Sequence, residues 1–299
     1  MSEHGGGNGT GAPWPPTERR RSDDRRRPKA VRIAAVGDFH CGEEDAGRYR
    51  ELFARANDEA DVLVLAGDLT RRGTPAEMRV VCGELADVKV PILAVLGNHD
   101  HEAGEAVQAA SILRDRGVHL LESEPFELWG QVGFAGCKGY MGGFGRWTLT
   151  AFGEQDTKVF VGRTLEEVQR LEFGLRRLST PVRVAVLHYA PTLETVIGEP
   201  EQIFPFLGND RLAEPLDRFG VAVAFHGHAH HGTFRGATPG GVPVFNVSHT
   251  LVRKEGVGEM YFRYDIPLPA EDDAPAGGEP GAEAVGAGAV ASPSAPGSA

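Results

Sequence analysis

"DVLVLAGDLTRRG", residues 61–73, decides how this chain folds. Residues 62–66 are all apolar and do not alternate with polar ones, the pattern of a strand covered on both faces. The run stops at Gly67 and hands over to Asp68. Two flanking stretches repeat the plan: "VRIAAVGDFH", residues 31–40, passes into Asp38, and "VPILAVLGNHD", residues 90–100, runs into Asn98. A helix is expected over roughly 46–59, with Tyr49, Leu52, Phe53 and Ala56 at helical spacing, and another over 75–87, opened by Thr74 and Pro75. Continuous apolar strands alternating with helices argue for an α/β fold around a largely parallel sheet with both faces covered.

Downstream the texture changes. After a helix near 104–116, short runs at 118–121, 125–129 and 131–136 suggest antiparallel strands. Residues 138–160 are rich in glycine and aromatics without a period, which reads as a long functional or mobile loop. A helix over about 163–178 leads to the buried strand "PVRVAVLHY", and one near 209–219 leads to "VAVAFHGHAH". Alternating runs at 242–248 and 259–266 close the body.

The folded body is expected over residues 30–266. Residues 1–29 and 267–299 are dominated by Gly, Pro, Ala and charge, too poor in aliphatic side chains to offset the entropy of ordering, and read as disordered tails. The formal net charge of −11 leaves −9 on residues 31–266, which argues against a nucleic-acid partner, because such surfaces are usually basic. No run approaches the ~20 apolar residues a membrane span needs. Three cysteines without CxxC spacing and no export signal fit a cytoplasmic protein.

The strand ends carry the chemistry. Asp38 and His40, Asp68, Asn98 and His99, His188, and His228 with His230 each come just after a buried strand. Ligands of such sheets bind beyond the carboxyl ends of the strands, so five distant segments converge on one crevice. Carboxylate, imidazole and amide donors without thiolate suit Mn, Fe, Zn, Co or Ni. A carboxylate shared by two such ions could hold them roughly 3.5 to 4 Å apart, the spacing used to clamp a phosphoryl group. Within "HGHAHHG", residues 226–232, His228 and His230 are two apart and share a face if the segment is extended, His226 suits the core, and His231 suits solvent.

The blocks "GDFH", "GDLTRRG", "GNHD", "LHYAP" and "GHAH", in this order, resemble those of the calcineurin-like metallophosphoesterase superfamily. The resemblance implies a four-layer α-β-β-α sandwich, two mixed β-sheets face to face with helices on the outer faces. It also implies two divalent metal ions and hydrolysis of a small-molecule or nucleotide phosphoester by a metal-bridging hydroxide. Asp38, His40 and His230 would hold one ion, and Asn98, His188 and His228 the other, with Asp68 bridging. His99 would face the scissile ester, and Asp100 would orient it through its other ring nitrogen. A nuclease or a serine/threonine-type protein phosphatase is the alternative.

Arg72 in "GDLTRRG" matches a phosphate-contacting arginine of the serine/threonine phosphatase branch, although GNHD stands here where that branch usually has GNHE; the other reading is a solvated loop arginine. Class III cyclic-nucleotide phosphodiesterases commonly pair a second histidine with the one at 188, a place taken here by Tyr189. Tyr140, Phe144 and Trp147 either meet the substrate or pack the loop onto the body.

Overall fold

Between β1 (Ala30–Val36) and β2 (Val62–Ala66) the chain forms two short helices, α1 (Arg50–Ala54) and α2 (Ala56–Glu59), in place of the single helix expected there. This is a computed structural model, and it describes residues 29–122 and 124–269. The expected tails therefore lie outside the described residues, apart from Lys29 and the three residues 267–269. Thr74 starts α3 (Pro75–Glu84): its hydroxyl accepts from the Glu77 amide while the Glu77 carboxylate reaches back to the Thr74 amide. β3 (Ile92–Val95), α4 (Ala106–Asp115) and β4 (His119–Leu120) complete the first half.

The second half runs β5 (Phe126–Leu128), β6 (Val132–Cys137), α5 (Gln155–Arg176), β7 (Val182–Leu187), α6 (Phe204–Leu207), α7 (Ala213–Arg218), β8 (Val223–His226), β9 (Arg235–Ala237), β10 (Pro243–Asn246), α8 (His249–Lys254) and β11 (Phe262–Pro267). One sheet has the order β11-β1-β2-β3-β4 and the other β5-β6-β7-β8-β10-β9. Both are mixed: β1 to β4 are parallel with β11 antiparallel at one edge, and β6, β7, β8 and β10 are parallel between antiparallel β5 and β9.

Alternation along each strand makes the layers. Ile33, Ala35, Val62, Val64 and Val95 of one sheet share a core with Phe134, Val184, Val186 and Phe225 of the other, so the sheets face each other. Ala34, Leu63 and Leu65 turn outward to Phe53, Met78 and Leu113 on the helices. Ala135, Ala185 and Leu187 turn the opposite way, to Leu171 and Leu216. The four-layer α-β-β-α sandwich is thus present, and strands buried on both faces explain the continuous apolar runs.

Three further expectations are corrected. β4 pairs parallel with β3 rather than antiparallel, extending the first sheet. Helix α5 begins at Gln155, eight residues before the expected start, and takes the end of the supposed long loop. The run at 242–248 pairs parallel with β8, both faces of β10 being covered, and helix α8 comes after it unannounced by any long apolar period.

Candidate metal centre

Every donor sits just past the carboxyl end of a parallel strand, and four of them stand on backbone that an ordinary residue seldom adopts. Among the described residues five non-glycine positions have positive φ, and four of them are Asp38 (56°), His40 (42°), Asp68 (50°) and His228 (72°). Such backbone costs about 1 to 3 kcal/mol each and persists where its surroundings over-determine it. Here they do: the Asp38 amide donates to the Gly67 carbonyl (2.9 Å) and the Cys41 amide to the Leu69 carbonyl (2.9 Å), lacing the two strand ends together. The His228 amide donates to both carboxylate oxygens of Asp38 at 2.9 Å.

The glycines beside these residues leave room for the donors. Gly67 has φ 84°, and a Cβ there would stand 2.5 Å from His188 Nδ1. Gly97 and Gly227 likewise lie against the carboxylates of Asp68 and Asp38.

Two clusters result. In the first, His230 Nε2 lies 3.1 Å from Asp38 Oδ1 and 3.4 Å from His40 Nε2. In the second, His188 Nε2 lies 2.8 Å from Asn98 Oδ1 and 3.4 Å from Asp68 Oδ1. Asp68 stands between them, its Oδ2 3.9 Å from His40 Nε2 on the other side. The groups Asp38–His40–His230 and Asp68–His188–His228 each bring three donor atoms close enough to hold a metal ion, and His40–Asp68–His99 links them.

The proton inventory tests whether a cation fits. His188 Nδ1 faces the Ala66 carbonyl at 3.0 Å, which only accepts, so that nitrogen carries the hydrogen and Nε2 presents a lone pair to the oxygens of Asn98 and Asp68. His228 Nε2 donates to the Phe206 carbonyl at 3.1 Å, which frees Nδ1. Burial keeps His188 neutral, far below the usual imidazole range, and draws His40 down to about 4. Burial, then the charges of Asp38 and Asp100, push Asp68 up to about 9. Burial works against ionisation of Asp38 too, but the hydrogen bond from His230 and the neighbouring imidazoles hold it well below the carboxylate range. Lone pairs facing lone pairs and crowded buried carboxylates are the situation a divalent cation relieves.

His99 is brought to the rim of this centre. Its amide donates to Asp68 Oδ1 at 2.8 Å and its ring meets the edge of His40 at 4.6 Å between centroids. The expectation for Asp100 is corrected: His99 Nδ1 donates to the Arg71 carbonyl at 2.7 Å instead. The buried Asp100 carboxylate is taken by the amides of Leu69, Thr70 and Gly97 and by the Thr70 hydroxyl, so it braces the Asp68 and Asn98 turns against each other. Sequence spacing cannot reveal a backbone acceptor such as Arg71, because any residue there supplies the same carbonyl.

The remaining candidates separate. Arg72 is exposed, and its side chain makes no hydrogen bond or ion pair among the described residues, while its amide donates to Glu77. Tyr140 is half-buried and packs on Phe160 and Tyr189. His226 is buried and bonded to the Thr195 hydroxyl at 2.8 Å, and His231 is exposed, as their places in the run suggested. Phe144 packs into a small separate core with Ala190, Val196, Leu207 and Ala229, the residue between His228 and His230. Above that core a lobe forms, where the Gly142 amide donates to the Pro205 carbonyl and the Leu149 amide to the Gly142 carbonyl. It leaves Trp147, Phe152 and Phe206 exposed.

Fold and donors define a class: a four-layer α/β protein with a carboxylate–imidazole cluster that could hold metal, at the strand ends where such sheets bind ligands. The chain belongs to the calcineurin-like phosphoesterase family, whose model matches residues 31–232. A probable cyclic nucleotide phosphodiesterase of Fibrobacter succinogenes is 29% identical over 101 residues, which is 30% of this chain and 38% of that protein. The match therefore spans well under half the length of that relative. The crystal structure of phosphopantetheinyl hydrolase from Mycobacterium tuberculosis superposes with a TM-score of 0.58 at 14% identity, covering 83% of this chain and 99% of that one, a likeness of fold. Among the described residues no helix is long and apolar enough to cross a membrane.

Proposed function

We propose that this protein hydrolyses a phosphoester of a small molecule or nucleotide with two divalent metal ions. The observation that carries this reading is Asp68, whose two carboxylate oxygens turn toward different donor clusters. One ion would be held by Asp38, His40 and His230 and the other by Asn98, His188 and His228, with Asp68 shared. Bound there, the ions would supply Lewis-acid chemistry toward the phosphoryl oxygens and the attacking water.

The chain's own residues would do the rest. The carbonyls of Ala66 and Phe206 fix which nitrogen of His188 and of His228 is bare. His99, its Nδ1 hydrogen committed to Arg71, would act as the doubly protonated imidazolium, whose Nε2–H is then left to stabilise or protonate the departing oxygen. Asp100 would keep the two turns in register. A phosphodiester is the preferred substrate, since the Fibrobacter relative is named a phosphodiesterase, and the acidic body weighs against long nucleic acids.

The test is metal analysis together with hydrolysis of bis(p-nitrophenyl) phosphate by Asp68→Ala and His228→Ala. Both variants should lose bound metal and turnover; full activity in either ends the reading. Cleavage of single-stranded DNA with Mn by the wild type, in preference to small esters, would favour the nuclease alternative.

A further inference from the structure

Five strands deliver donors to the centre, and a sixth parallel strand ends beside them carrying a cation. β6 pairs with β7 up to Cys137 opposite Leu187, so Lys138 succeeds β6 as His188 succeeds β7. The Lys138 carbonyl accepts from the amides of His188 and Tyr189, both at 3.0 Å, which pins this strand end to the donor-bearing one. The turn is built as firmly: the Gly139 amide donates to Glu167 Oε2 at 2.9 Å, and Asn209 Nδ2 donates to the Tyr140 carbonyl at 2.7 Å. Gly139 has φ 77°, and a Cβ there would lie 3.2 Å from that of Tyr189.

The ammonium is held over two aromatic faces, 4.9 Å from the Tyr140 centroid and 5.2 Å from that of Tyr189. Tyr189 in turn lies 4.4 Å from the His228 ring, so one tyrosine separates this cation from the donor cluster. Lys138 Nζ donates to the Gly139 carbonyl at 3.1 Å and makes no other hydrogen bond or ion pair among the described residues. The nearby acids are otherwise engaged, Glu167 by Gly139 and Arg170, and Glu122 by the Leu96 amide. An ammonium has three donors, and Lys138 commits one of them to a protein acceptor, so the half-buried Nζ can still take an oxygen of a bound anion.

We propose that Lys138 binds an anionic phosphoryl oxygen of the substrate, a positioning contact supplied from a sixth strand end. The proposal rests on the phosphoesterase reading. Its chemistry is that of a point charge, for which lysine serves and a planar fork is not required. Tyr140 and Tyr189 hold the ammonium in place before the anion comes.

The experiment uses metal-loaded full-length protein and inorganic phosphate as probe. Phosphate binding is followed by calorimetry and by competition against bis(p-nitrophenyl) phosphate for wild type, Lys138→Gln and Lys138→Arg. Lys138→Gln should keep its metal content and melting temperature, weaken phosphate by about tenfold, as loss of one charge-assisted hydrogen bond requires, and raise KM more than it lowers kcat. Lys138→Arg should recover most of the affinity. Unchanged phosphate affinity and KM in Lys138→Gln would overturn the proposal, and so would loss of metal or of folding in both variants, which would mark a structural lysine. A wild type that binds phosphate through Lys138 yet cleaves no phosphoester sinks the functional reading alone.

Discussion

Asp68 is 1% exposed and Trp147 is 72% exposed, and the two belong to neighbouring regions made on opposite plans. The floor of the centre hangs from the ends of strands shared by the two main sheets, with left-handed turns laced to one another and glycines cut to fit the donors. The lobe over residues 142–152 and 203–210 rests on its own small core and shows apolar side chains to water. Chemistry that needs donors fixed to fractions of an ångström is placed on the rigid part, and surface that can vary without disturbing it is placed on the other.

The contrast breaks most visibly at Gly67. Gly67→Ala forces a methyl against His188 on left-handed backbone, so metal content and hydrolysis should both fall to background; a variant that binds metal normally would show the floor to be pliable. His99→Ala should leave metal content intact while lowering kcat by about a hundredfold, measured on bis(p-nitrophenyl) phosphate, if general-acid work is the role of that ring.

The pH dependence of stability sharpens the picture at Glu122, which lies at the floor's flank after β4. Burial raises its carboxyl from the usual 4.5 to about 7. The folded state favours the protonated acid, so this stabilisation is complete below pH 4.5 and disappears as pH rises through 7, a change on the order of 3 kcal/mol. Denaturant unfolding between pH 4.5 and 7.5 should therefore show Glu122→Gln gaining on the wild type as pH rises, and a constant difference would refute the shift. The smallest effect belongs to the lobe: Trp147→Ser and Phe152→Ser should change turnover of a small diester by less than about twofold, since neither touches the floor.

Legibility in the sequence divides along the same line. The strands can be read because burial on both faces forces unbroken apolar runs, and the donors because each stands within four residues of the end of such a run. The start of α5 at Gln155 stays hidden because "EQDTKVFVGR" carries too few apolar residues to mark a period, its helix being held by packing further along. The direction of β4 stays hidden because two residues show no period at all, and it is set by the sheet edge that the strand joins. The Arg71 and Phe206 carbonyls, which hold His99 and His228, belong to no residue type and leave no trace in a sequence. Lys138 does leave one, since it is the residue immediately after a parallel strand, where a cation can serve a site as a metal donor can.

The four left-handed non-glycine turns also say something about the need for the donors. Asp and His at 38, 40, 68 and 228 hold a conformation that glycine or asparagine takes more readily. Where no donor is needed at these four places, glycine or asparagine would relieve that backbone, so a chain of the same sandwich carrying them there has no use for the donor cluster.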